Sequence, residues 1–249
     1  MRLPGPLPLL LTACGALAAA VPAARAAEGL FLTWNDCALD PGAASDLPQA
    51  CASDLGQQAL YCAFRLAAPA DSVLGVEIVV DVQHAEATLP DWWRFDVSGC
   101  RSGNLAAGFG FTSQSACVDF LHGHATGALD YYLTEPHGGA NQARIRAAAS
   151  VLPGFGYAQL DASSMYYGAR LTIANANTAT CTGCAGHACL VLNTVVVKRQ
   201  PGAPGGDVPI DVPGPANANW ATWQGGSGAD CAAVPVRPVT WGQLKGLYR

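Results

Sequence analysis

Charge is scarce in this chain. Acidic and basic residues together make up 12% of its 249 positions, and lysine occurs twice, at Lys198 and Lys245. No basic stretch is present that could track a phosphate backbone. Beyond the amino terminus, no uninterrupted apolar run approaches the ~20 residues needed to span a bilayer. Long helical periodicity is missing too, as are internal repeats. No Gly-x-Ser-x-Gly elbow and no phosphate-binding glycine loop occurs, which removes the most legible hydrolase and nucleotide-binding signals.

What is present starts with a secretion leader. Met1-Arg2 supplies a small positive segment, Leu7 to Val21 an uncharged apolar run, and Pro22 a helix breaker before an Ala24-Arg25-Ala26 cleavage site. A lipoprotein box at Leu11-Thr12-Ala13-Cys14 is the competing reading. It is disfavoured by the short apolar stretch before Cys14 and the apolar residues after it. Cleavage after residue 26 leaves 223 residues, enough for one large domain with a sizeable core. Loss of Arg2 and Arg25 leaves 11 basic residues against 18 acidic ones, a net charge of −7. A field of that sign repels nucleic acid and anionic lipid. The expected product is exported and soluble, without a membrane span, and its expected partners are a neutral glycan or a cell-surface protein.

Period-two alternation dominates the mature chain, as in half-buried strands. Leu30, Leu32 and Trp34 share one face. Val76, Ile78, Val80 and Val82 alternate with Glu77 and Asp81, which predicts a half-exposed strand. Ile145, Ala147, Ala149 and Val151 oppose Arg144 and Arg146, and Tyr167, Ala169, Leu171 and Ile173 oppose Arg170 and Thr172. Cys189 to Val197 is almost continuously apolar, the pattern of a central strand covered on both faces. Glycine, asparagine, aspartate and proline punctuate these runs. The pattern predicts an all-β, antiparallel β-sandwich over 27–199, immunoglobulin-like or jelly-roll-like and disulfide-stabilised. A Pro/Gly-rich extension, 200–249, is expected to pack on the same domain. Pro209 restricts 207–211 to an edge strand or extended crossing, and Thr240 could cap a helical turn near the end.

Export brings an oxidising compartment. Nine cysteines remain in the mature chain, an odd number, so one lacks a partner within it. Cys62 shares a strand face with Leu60, Phe64 and Leu66, which predicts a buried, inert thiol. The short loops suggest Cys37 with Cys51 and Cys100 with Cys117. Cys181, Cys184, Cys189 and Cys231 would then form two bridges of unspecified order. The run Cys181-x-x-Cys184-x-x-His187-x-Cys189 would read as a zinc knuckle in the cytoplasm, whereas in an exported chain disulfides are expected. Ala185 stands where haem attachment would need a histidine.

Three segments resemble those of a family of secreted proteins from environmental bacteria. They are Cys181-Thr182-Gly183-Cys184 followed by Cys189-Leu190-Val191-Leu192-Asn193, then Trp220-Ala221-Thr222-Trp223-Gln224-Gly225-Gly226, and Thr240-Trp241-Gly242…Lys245…Leu247-Tyr248-Arg249. Cys62 departs from that pattern. The family carries no assigned activity, so the resemblance implies export and no functional residue.

Candidate chemistry is thin. His122-Gly123-His124 would point two imidazoles the same way on a strand, with His137 closing a zinc or copper site. Asp36, Asp40, Asp46 and Asp54 surround the first cysteine loop and could hold calcium. The default reading of both groups is solvated loop residues, with no cofactor. Glu77 and Asp81 share a strand face about 13 Å apart, too far for a glycosidase pair. Aromatic doublets are more suggestive: Trp92-Trp93, Tyr131-Tyr132 and Tyr166-Tyr167, together with Trp220 and Trp223. On a strand, each doublet would send one ring inward and leave one for the apolar face of a sugar. Trp92 and Trp93, flanked by Arg94 and Asp96, form the first candidate glycan site, and Trp220 with Trp223 the second. The sequence thus favours a non-catalytic exported module that binds carbohydrate, adheres or builds a surface structure. The alternative is a secreted metal-dependent enzyme using His122, His124 and His137.

Overall fold

A computed structural model of the protein describes residues 27–110, 117–134, 138–229 and 231. The expected leader with Cys14, the expected helical turn at 240–249 and His137 lie outside those residues. Among them are thirteen strands: β1 (Gly29–Trp34), β2 (Asp46–Leu47), β3 (Gln57–Arg65), β4 (Ala70–His84), β5 (Leu105–Gly108), β6 (Cys117–Val118), β7 (Ala125–Leu133), β8 (Gln142–Val151), β9 (Ala158–Leu160), β10 (Met165–Ala174), β11 (Ala188–Arg199), β12 (Val208–Ile210) and β13 (Trp220–Trp223). The remaining regular segments are short 3-10 turns.

The strands form a β-sandwich. One sheet runs β1-β3-β10-β5, with β6 pairing parallel to β10; the other runs β2-β13-β11-β4-β8-β7, with β12 on β11 and β9 on β4. Pairing is antiparallel except at β6–β10 and β2–β13. Cross-strand register makes the core. Leu30, Leu32 and Trp34 sit opposite Phe64, Cys62 and Leu60, and these oppose Tyr166, Ala169 and Leu171. The second sheet answers with Val76, Ile78, Val80 and Val82, with Ala143, Ile145, Ala147 and Ala149 of β8, and with Leu190, Leu192, Val195 and Val197. Interdigitation of two such apolar faces is the main stabilising contribution of a sandwich.

Two strand readings need correction. First, β4 lies between β11 and β8, and Asp81 is buried rather than half-exposed. Arg144 meets it from β8 with Nε and Nη2 donating at 2.6 and 2.7 Å, and Asn193 donates from β11. Second, Tyr167 does not share a face with Ala169. The register slips between them, and Gly168 fills the bulge where a Cβ would stand 2.9 Å from Ile78 Cδ1. Tyr166 therefore faces the core. Tyr167 packs on the outer side with Phe31, Tyr61 and Met165. The extension beyond residue 199 contributes strands to the eight-stranded sheet, β12 with Pro209 at the edge of β11 and β13 beside its start.

The disulfides also differ from the short-loop expectation. Cys37 pairs with Cys117, Cys51 with Cys184, Cys100 with Cys181, and Cys189 with Cys231. Neither Cys37–Cys51 nor Cys100–Cys117 forms. The reason is topological: the loops carrying Cys51 and Cys100 both reach the 176–187 turn between β10 and β11, so partners distant in sequence become neighbours. Cys62 carries a free thiol buried among the core side chains.

Candidate functional site

The tryptophan doublet is not a surface feature. Trp92 and Trp93 lie on a 3-10 turn, Asp91–Trp93, so strand alternation does not apply to them. Both are 0% exposed, and so is Trp223. Trp92 packs 4.5 Å from Trp223 and 5.0 Å from Trp93, and Trp34 closes the group 5.8 Å from Trp223. The indole N–H groups of Trp34 and Trp223 donate to the carbonyls of Thr222 and Cys184 at 2.8 and 2.7 Å. Arg101, also fully buried, stacks its guanidinium 3.9 Å from the Trp92 ring and donates to the carbonyls of Trp92, Ala174 and Ala176. Burial pushes its pKa down to about 10 while the Asp54 carboxylate pushes it up, so it stays charged at neutral pH. These rings form a structural plug.

Arg94 and Asp96 staple the loop that follows it. Two donor bonds of 3.2 Å join their side chains, and the Arg101 N–H returns to the Arg94 carbonyl. Trp220 is partly buried against Cys189, Val191 and Cys231. Neither tryptophan pair therefore offers a pair of open rings. Both tyrosines at 166–167 are buried. Tyr131 gives its hydroxyl to the Trp93 carbonyl, and Tyr132 lies under Arg146 at 5.4 Å.

His122 and His124 are exposed, but they occupy a turn before β7 and not a strand, with His122 at φ 51°. His124 stacks face to face on Phe155, 3.7 Å between ring centres. Among the described residues, no three His, Cys, Asp or Glu side chains gather as a metal-binding group. Cys181, Cys184 and Cys189 go to three different disulfide partners, which rules out a shared zinc. Asp36, Asp46 and Asp54 each cap a different main-chain segment, accepting from the N–H groups of Cys37, Gly225 and Ala179.

A surface groove does form beside His122 and His124, lined in part by aromatics of the 152–157 loop that the strand pattern did not mark. The turn before β7 is built around Asp119, whose carboxylate accepts the N–H groups of Leu121 at 3.0 Å and Gly123 at 2.8 Å. Phe120 anchors this turn, edge-on to Phe64 at 5.9 Å and to Tyr166 at 6.1 Å. Beyond β8 the chain continues as Leu152-Pro153-Gly154-Phe155-Gly156-Tyr157, and Gly154 at φ 94° makes the bend. The Leu152 N–H donates to the His124 carbonyl at 2.8 Å, tying the two loops together. Between them lies a shallow groove of about 130 Å³, lined by Phe120, Leu121, His122, His124, Phe155 and Tyr157 among others. Phe155 is 46% exposed and Tyr157 50%. A Gly-Phe-Gly-Tyr run outside any strand period was the available signal.

No protein-family model and no curated protein matches the chain. Among solved structures it is similar to a cohesin module from the family 33 glycoside hydrolase of Clostridium perfringens ATCC13124. The TM-score is 0.35 at 10% identity, over 78% of this chain and 92% of that one. No helix among the described residues is long and apolar enough to cross a membrane.

Proposed function

We propose that the protein is an exported, non-catalytic β-sandwich binding module whose ligand is a neutral glycan held in the Phe155–Tyr157 groove. The observation that carries this reading is the pair of half-exposed rings on the 152–157 loop, which the Leu152 N–H ties to the turn that Asp119 and Phe120 build against the core. An exposed ring offers a flat apolar face that suits the C–H face of a pyranose, and pre-positioned loops lower the ordering cost of binding. His122 and His124 supply polar ring nitrogens at the same rim. The mature charge of −7 favours a neutral ligand over an anionic one. Four disulfides support folding in an oxidising compartment.

The test is a glycan screen of the mature protein, residues 27–249, beside Phe155→Ala and Tyr157→Ala, with elemental analysis of the same samples. Each substitution should weaken binding about 10-fold or more, as loss of a stacking ring does, without changing the circular-dichroism spectrum. Binding that survives both substitutions refutes the groove. An empty screen, together with near-stoichiometric zinc or copper, would favour the metalloenzyme reading instead.

A further inference from the structure

The eight-stranded sheet ends on β7, and among the described residues no strand pairs with its outer side. Unpaired edges invite a second chain, and proteins usually blunt them with lysine, proline or a bulge. None of these devices is present here. The nine residues from Ala125 to Leu133 hold no lysine and no proline, their pairing with β8 is unbroken, and Asp130 is their single charge.

The ladder fixes which backbone groups are free. Leu152 N–H donates to the His124 carbonyl, and Thr134 N–H to the Gln142 carbonyl. With antiparallel alternation, the even-numbered residues of β7 bond to β8, and the odd-numbered ones turn their N–H and C=O outward. Ala125, Gly127, Leu129, Tyr131 and Leu133 therefore present a bonding edge five residues long. All but Gly127 also rest their side chains against the core.

We infer that β7 pairs antiparallel with β7 of a second copy of this chain, about a two-fold axis at Leu129, to make one continuous sheet. That register pairs all five outward-turned residues: Ala125 faces Leu133 of the second copy, Gly127 faces Tyr131, and Leu129 faces itself. Bonded pairs then fall only on outward-turned residues, as an isologous contact requires. On the solvent side Thr126 faces Tyr132, and Ala128 faces Asp130, so no carboxylate meets its own copy. This inference is independent of the groove, which lies at the end of the strand and not along its edge.

Ala128 is exposed and distinguishes this register from others. Sedimentation equilibrium of the mature protein in low salt should show a monomer–dimer equilibrium. Ala128→Glu sets a carboxylate against the Asp130 of the other copy on each side of the axis, and dissociation should be about 3- to 10-fold easier. Ala128→Lys sets an opposite charge there and should tighten the dimer by a similar factor. A wild-type monomer at all concentrations up to ~1 mM overturns the inference. So does a dimer that neither substitution changes, or that both weaken alike.

Discussion

His84 ends β4, with its Nδ1 accepting the Glu86 N–H at 3.2 Å and its Nε2 buried without a partner. Gly186 leaves room for the ring: a Cβ there would lie 2.5 Å from it. Burial lowers the His84 pKa below its ordinary 6.5; Glu86 opposes this, and His187 adds to it. The folded protein therefore takes up this proton less readily than the unfolded chain. The corresponding stability is complete above about pH 6.5 and is lost as pH falls from there toward the lower folded value. The urea midpoint should drop between about pH 7 and about pH 5, and His84→Gln should flatten that drop. Equal slopes in the two proteins would show that another group is responsible. At this scale the sequence exposed Cys62, because its neighbours on alternate positions are all apolar. It gave no sign of His84, since burial without a partner is a property of the packing around it.

Strands differ in how much of their setting they carry. β11 announced itself as a central strand, because nine nearly unbroken apolar residues have no polar face to leave in water. β4 misled, because Asp81 reads as a solvent residue until Arg144 and Asn193 arrive from the two flanking strands. Such a pair is stable while complete and costly when halved, since the survivor keeps its charge without compensation. Arg144→Met should therefore cost about 3–5 kcal/mol of unfolding free energy by urea titration. Arg146→Met, at the equivalent exposed site two residues on, should cost less than about 0.5 kcal/mol. Similar losses at both positions would mean that the Arg144 contact contributes little. β10 was legible as a strand, but its face assignment was not. The bulge at Gly168 arises where β4 presses Ile78 against it, which no period within β10 reveals.

Across the whole molecule, the four disulfides span 80, 133, 81 and 42 residues. Closing loops of that size in the unfolded chain contributes about 4–5 kcal/mol each in the chain-entropy model. Cys62 stands apart, its pKa pushed far up by complete burial, so the thiol stays protonated. A thiol reagent should label no cysteine in native protein comprising residues 27–249 and one, Cys62, after unreduced unfolding, by peptide mass mapping. The same digest should recover Cys51 linked to Cys184. Label on Cys37 or Cys117, or a Cys37–Cys51 peptide, would contradict the pairing. Adding reductant should lower the melting temperature in proportion to the bridges lost.

The sandwich class was written locally, since alternation of apolar and polar side chains is a property of a few consecutive residues and fixes which face of a strand is buried. The odd thiol count was equally a matter of the chain alone. Bridge partners, the burial of Trp92 and Trp93, and the groove at Phe155 and Tyr157 were decided only when loops far apart in sequence met. Those outcomes depend on which surfaces the two sheets bring together, and no window along the chain contains that distance.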